Sequence, residues 1–237
     1  MHIRSSRTSD DGVTVLASSP SGPLVASGLR SGEVGFHNFW TGQETPTVRD
    51  PRDRISPLGS RTISSLAWSP DGRLLASGAG DGSIRVWDPS TGEALRTLDG
   101  HQFGVNGMCF SGDGSVLASG SDDATVRIWN VRMGTETHML RGHHSPLTAV
   151  ALSHDGAALA SACTGGTLSL WDVKSGTQTG ELAKSPLSHG HSLPALGRHC
   201  PFYTALAFSR DGKDLAAGSS NGNLYAGNLG NARFLGR

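Results

Sequence analysis

The chain has 237 residues, 33 of them glycine and 11 proline, with Lys+Arg and Asp+Glu balanced at 20 each. Glycine at twice the ~7% of ordinary chains excludes a helical bundle or a coiled coil, because each interior glycine costs a helix about 1 kcal/mol. The glycines lack a three-residue period, which excludes collagen, and a net charge of zero leaves no basic footprint for direct nucleic-acid binding.

The chain opens Met1-His2-Ile3-Arg4-Ser5-Ser6-Arg7, without the apolar core of a secretory signal. No apolar run approaches the ~20 residues that span a bilayer. The cysteines Cys109, Cys163 and Cys200 are odd in number, and no Asn-x-Ser/Thr acceptor occurs. Together these point to a reducing compartment, cytoplasmic or nuclear. Residues 1–12 read as an N-terminal extension.

From residue 13 onward the chain repeats itself. Ser19-Pro20-Ser21-Gly22 with Leu24-Val25-Ala26-Ser27-Gly28 opens the series. Ser69-Pro70-Asp71-Gly72 follows, then Ser111-Gly112-Asp113-Gly114 and Ser153-His154-Asp155-Gly156 at intervals of 42 residues. Ser209-Arg210-Asp211-Gly212 with Leu215-Ala216-Ala217-Gly218 closes it. Trp87, Trp129 and Trp171 keep the same interval. The reading is five units, approximately 13–45, 62–98, 104–140, 147–183 and 203–237, each of four strands. In the second unit Ile63–Trp68, Leu74–Ser77, Ile84–Trp87 and Ala94–Leu98 are strands a to d. Asp-Gly pairs turn the chain, since tight hairpins need a positive φ. One such unit cannot bury its own faces, but stacked units can.

The Gly-His pairs (Gly100-His101, Gly142-His143), the Trp-Asp endings (Trp87-Asp88, Trp171-Asp172) and the 42-residue period resemble WD40 repeats over nearly the whole chain. The resemblance implies an all-β fold, a WD40-type β-propeller of five four-stranded units. Gly236-Arg237 falls where Gly100-His101 falls, so two readings stand: a five-blade unit, or part of a larger or incomplete propeller completed by further chain or by a second copy.

The resemblance also implies a hydrogen-bonded His–Ser–Asp–Trp network within a blade. The third unit matches it fully with His101, Ser119, Asp123 and Trp129. The second has Ser77, Asp81 and Trp87 without the histidine. The fourth has His143, Ser161 and Trp171, with Gly165 in place of the acid. The first and fifth depart furthest, with His37 and Gly227 at the Trp position. These sets are read as structural, and no catalytic residue is assigned. Ser153-His154-Asp155 is contiguous and cannot form a spaced triad. Gly78-Ala79-Gly80-Asp81-Gly82 lacks the following helix of a phosphate loop.

Two stretches leave the repeat, Thr45–Ser60 and Lys184–Pro201. The second carries His189, His191, His199 and Cys200 in no standard zinc spacing, so no metal and no cofactor is assigned. Trp129-Asn130-Val131-Arg132 and Trp171-Asp172-Val173-Lys174 each miss by one residue the WDxR motif of cullin–RING substrate receptors.

The resemblance implies a non-catalytic platform for protein or peptide partners, usually a subunit of a larger complex, with no membrane contact. Carried over by register, the partner-binding residues are Arg30, Gly80, Asp122, Thr164 and Ser220 in the b–c turns. Beside them fall Gln102, His144, Pro146 and Phe202, with Phe202 as the expected aromatic anchor. The alternative is a regulatory or sensor module of a larger multidomain signalling protein. An enzyme using a central channel is disfavoured, because no unit brings together acid, base and nucleophile.

Overall fold

Left-handed glycines cut the chain into strands. Gly72, Gly114, Gly156 and Gly212 hold φ between 69 and 73°, each two residues before a strand or its flanking residue. The serine that begins each of these turns is what closes it. Ser69 Oγ donates to Asp71 at 2.6 Å and accepts the Leu74 N–H at 2.9 Å. Ser111, Ser153 and Ser209 do the same with Asp113, Asp155 and Asp211. Ionised aspartate accepts several bonds at once, so one carboxylate organises the whole turn.

The structure is a computed structural model that describes residues 12–42, 48, 60–183, 202–229 and 235–236. Two compact units divide the chain, Met1–Val105 and Asn106–Arg237. Every described element is a strand or a turn, so no helix among the described residues is long and apolar enough to cross a membrane.

The strands form five antiparallel sheets, each pairing neighbours in chain order. The first has β1 (Val13–Ser18), β2 (Leu24–Leu29) and β3 (Val34–Asn38). The second has β4 (Ile63–Trp68), β5 (Leu75–Ala79), β6 (Ile84–Asp88) and β7 (Glu93–Leu98). The third has β8 (Val105–Phe110), β9 (Val116–Ser121), β10 (Thr125–Asn130) and β11 (Thr135–Arg141). The fourth has β12 (Leu147–Leu152), β13 (Ala158–Cys163), β14 (Leu168–Asp172) and β15 (Thr177–Ala183). The fifth has β16 (Tyr203–Phe208), β17 (Asp214–Ser219), β18 (Leu224–Asn228) and β19 (Leu235–Gly236).

The expected four strands per unit are present in four sheets. In the first, three strands are described, and an isolated bridge joins Val34 to Val48, beyond the expected unit 13–45. In the fifth, the fourth strand is described only at Leu235–Gly236, and 231–234 lie outside the described residues.

Within each unit, neighbouring sheets pack face to face. Ala26, Val34 and Phe36 of the first sheet meet Ile63, Leu75, Ala79 and Trp87 of the second. Ala118, Val126, Ile128 and Leu140 of the third meet Leu147, Leu159, Cys163 and Trp171 of the fourth. Ala160, Ala162 and Leu168 of the fourth meet Tyr203, Leu215 and Ala217 of the fifth. Burial of this apolar surface is the main stabilising term.

A recurrent irregularity ties the sheets together. In β1, β4, β12 and β16 a bulge follows the first residue, leaving Thr14, Ser64, Thr148 and Thr204 without a cross-strand partner. A bulge re-aims its side chain. Thr14 Oγ1 donates to Ile63 O at 2.5 Å, Ser64 Oγ to Val105 O at 2.7 Å and Thr148 Oγ1 to Tyr203 O at 2.5 Å. Asn106 of β8 makes the same link through Nδ2 to Leu147 O at 2.9 Å. In each case the acceptor is the first residue of the next inner strand.

Candidate functional site

The polar core of the sheets comes first, because it decides which histidines and serines are open to chemistry. Trp87 Nε1 donates to Ser77 Oγ at 2.8 Å, Trp129 to Ser119 at 2.8 Å and Trp171 to Ser161 at 2.7 Å. These indoles and hydroxyls are all buried. In the fourth sheet His143 Nε2 lies 2.7 Å from Ser161 Oγ. Burial holds the His143 imidazole down to about 4, with the Glu181 carboxylate opposing. His143 is therefore neutral at neutral pH. Its Nδ1 is buried with no hydrogen-bond partner among the described residues.

Asp81 and Asp123 serve their own turns. Asp81 Oδ1 accepts the Ser83 N–H at 3.0 Å and the Ser83 hydroxyl at 2.7 Å. Asp123 Oδ1 takes the Thr125 N–H at 2.9 Å and its hydroxyl at 2.6 Å. His101 is buried, as is Ser119. The first sheet departs less than its sequence suggests: His37 Nε2 lies 2.9 Å from Ser27 Oγ, replacing the indole–serine bond. In the fifth sheet both partners are gone, to Gly227 and Ala217. A ring pair, Tyr203 on Tyr225 at 5.6 Å and 75°, packs there instead.

Serines and histidines committed in this way are poor nucleophiles and bases, because their polar atoms already have partners or no solvent access. Among the described residues no cluster of three His, Cys, Asp or Glu side chains is placed to hold a metal ion. His189, His191, His199 and Cys200 lie outside the described residues.

The loops at the open ends of strands b and c are built by one rule. The N–H at the b–c turn donates to the carbonyl of the residue just before strand a. Arg30 N pairs with Gly12 O at 3.1 Å and Gly80 N with Thr62 O at 2.9 Å. Thr164 N pairs with Pro146 O at 2.9 Å and Ser220 N with Phe202 O at 2.8 Å. Of the residues expected at this edge, Thr164 is thus joined to Pro146 and Ser220 to Phe202, each within its own sheet. The Phe202 N–H also donates to Ser220 Oγ at 3.1 Å, and Asn106 Nδ2 donates to Asp122 Oδ1 at 2.6 Å. Arg30, Gln102, Asp122, His144, Pro146, Thr164 and Ser220 are exposed.

Phe202 is half-buried, with its N–H donating to Ser220 Oγ and its C=O accepting the Ser220 N–H. The sequence reading passed over Phe103, whose ring is 58% exposed beside Gln102. It also passed over Phe39 and Trp40, exposed in the turn after β3. The signal was available, since aromatic residues outside the strand alternation have no core position to fill. Trp129 and Trp171 of the two near-WDxR stretches are buried in their sheets, while Arg132 and Lys174 are exposed.

Comparison with known proteins adds one match. The family described as WD domain, G-beta repeat matches residues 55–88, 92–130 and 134–172. No curated protein matches the chain.

Proposed function

Three consecutive WD40 repeats place this chain in the WD40-repeat family, and on that premise we propose that it is a non-catalytic scaffold that binds protein or peptide partners. WD40 repeats generally mediate protein–protein interaction. The proposed contact surface is the edge formed by the b–c turns and the residues opening strand a. One observation carries the reading: exposed side chains of mixed chemistry sit on backbone fixed by a repeated N–H to C=O bond. Side chains on a fixed frame lose little entropy on binding, so more of their contact energy appears as affinity.

Each unit carries an exposed charge at this edge that orients a partner, Arg30 in one and Asp122 in the other. Phe103, with the Phe202 ring as a flatter contact, supplies apolar area of the kind that anchors interfaces. His144, Pro146, Thr164, Gln102 and Ser220 complete the rim. The committed state of the buried serines and histidines supports the absence of a catalytic role.

The test is recovery of partners from native cells by affinity purification, comparing wild type with Arg30→Glu, Asp122→Lys, Phe103→Ala and Phe202→Ala, each first shown to be folded. Partners lost in at least one of these variants support the edge as the docking surface. A native partner bound equally well by all four overturns it.

A further inference from the structure

Two Asn-Gly pairs occur in the chain, Asn106-Gly107 and Asn221-Gly222, and the fold holds them in opposite ways. In such a pair the glycine nitrogen is the nucleophile nearest the asparagine carboxamide, and no Cβ shields it. Asn106 lies in β8, with its amide nitrogen donating to Asp122 Oδ1 at 2.6 Å and to Leu147 O at 2.9 Å. The group that would have to leave is therefore anchored. The Asp122 carboxylate beside it also opposes the negative charge that an attack would build.

In the b–c turn of the fifth sheet it is the carboxamide oxygen that is held. The Ser219 hydroxyl donates to Asn221 Oδ1, and the Asn223 N–H donates to the same oxygen at 3.3 Å. Two donors on a carbonyl oxygen draw electron density from its carbon and stand where charge develops when a nucleophile adds. Gly222, at φ 85°, gives its N–H to Ser219 O at 3.0 Å, and release of that one bond frees the nitrogen. All of these atoms belong to residues 219–223, inside a single turn. Asp81 and Asp123 stand at the same register and cap Ser83 and Thr125 in the same way. An ionised carboxylate is a poor electrophile, however, and holds no ammonia to lose.

We propose that Asn221 is a site of self-modification, converted within its own turn to aspartate and isoaspartate. The Gly222 nitrogen bonds to Asn221 Cγ and gives its proton to solvent base. The Cγ–Nδ2 bond breaks, and Nδ2 departs as ammonia with a proton from water. Water then opens the cyclic imide at Cγ, leaving isoaspartate or aspartate according to which carbonyl it attacks: aspartate from attack at Cγ, isoaspartate from attack at the Asn221 backbone carbonyl. The sum is one water consumed and one ammonia released, with no oxidant or reductant. The aspartate product keeps the cap on the Asn223 N–H and gives the fifth sheet the acid that the second and third carry. Either product puts a negative charge next to Ser220, so this edge changes its charge with the age of the molecule. The chemistry is independent of whether that edge binds a partner.

The experiment incubates the purified full chain at neutral and mildly alkaline pH, folded and in urea. Peptides carrying Asn106 and Asn221 are then followed by mass spectrometry against a zero-time digest. In urea the two pairs should react at similar rates. In the folded chain Asn221 should convert at a rate that rises with pH, giving two products that chromatography separates, while Asn106 stays intact. Ser219→Ala, shown by circular dichroism to be folded, should slow the conversion about tenfold, the rate equivalent of one lost hydrogen bond. Gly222→Ala, which adds a methyl group beside the nucleophile, should slow it in the folded chain and in urea alike. A folded chain whose Asn221 stays intact while the urea sample reacts overturns the proposal. Equal conversion of Asn106 and Asn221 in the folded chain does so too, and conversion of folded Ser219→Ala at the wild-type rate or faster overturns the part assigned to that hydroxyl.

Discussion

The hydroxyl of Ser161 stands between His143 and Trp171, 2.7 Å from Nε2 of the first and 2.7 Å from Nε1 of the second. An indole nitrogen only donates, so Ser161 Oγ accepts from Trp171, while the direction of its bond with His143 Nε2 follows the imidazole tautomer. His143 Nδ1 is buried, with no partner among the described residues.

This shared hydroxyl makes the fourth sheet testable at both ends. Ser161→Ala orphans two buried groups and should cost about 2–4 kcal/mol. Gly165→Asp places an acceptor at the register position of Asp123 and should gain about 1 kcal/mol. Its Cβ arrives 3.0 Å from Ser145 Oγ, a side chain that can turn aside. Gly165→Ala, which adds the Cβ without the acceptor, should gain nothing. Urea midpoints of the three variants decide the matter, and equal midpoints for Gly165→Asp and Gly165→Ala would remove the argument.

Acid should weaken the same sheet in a defined window. The His143 imidazole is held down to about 4 by burial, while an unfolded chain takes up that proton near 6.5. Between these values the unfolded state binds more protons, so stability is complete above pH 6.5 and falls as pH drops toward 4. The loss is about 2–3 kcal/mol, and His143→Gln should flatten it. The Ser-Asp turns respond lower. Hydrogen bonds from Ser111 and Ser115 hold the Asp113 carboxyl down to about 2, so its contribution is present above pH 3.8 and lost as pH falls through 2. Denaturant titrations across this range should therefore show two separate declines.

Positive-φ turns rank their own substitutions. The b–c turn takes glycine at Gly32, Gly82, Gly166 and Gly222, yet the third sheet holds Ala124 there at φ 61°. A methyl group is therefore tolerated where space permits. Gly222→Ala meets nothing within 4 Å and should cost about 1 kcal/mol, the strain of a left-handed residue offset in part by chain entropy. Gly82→Ala would drive its Cβ to 2.5 Å from the His101 carbonyl oxygen and should cost clearly more. Thermal midpoints in the opposite order would show that backbone strain, not crowding, governs these turns.

Thiol chemistry should be silent in two of the three cysteines. Burial pushes the Cys109 thiol up to about 12, so roughly one molecule in 10⁵ carries the thiolate at neutral pH. Cys163 is buried in the core between the third and fourth sheets. Iodoacetamide at neutral pH should leave both unlabelled in the folded protein and modify both in urea. Mass spectrometry of peptides containing each residue reads the result, and native labelling of Cys109 would contradict its raised thiol.

The repeat was readable from sequence because its turns need particular chemistry. Ser69, Asp71 and Gly72 each do something another residue does poorly, so the spacing survives in plain view. The sheet-to-sheet link was not readable. Thr14, Ser64, Asn106 and Thr148 share a position rather than a residue type, and in Thr14, Ser64 and Thr148 it is a bulge that sets that position. His37 looked like the loss of a tryptophan, but an imidazole nitrogen reaches Ser27 as an indole nitrogen would. The backbone ties of Phe202 were not readable either. The Ser220 hydroxyl and N–H that tie down its backbone lie 18 residues away.

The bulge link gives each repeat one donor on its second strand-a residue and one acceptor on its first. A duplicated repeat inserted between two others would bring both ends of the link with it. Gene duplication of a whole period, wherever its cut falls, therefore preserves every junction, whereas loss of part of a period breaks one. Growth by whole units is the route this geometry leaves open to evolution, and the same accounting tells an engineer where the chain accepts an added module.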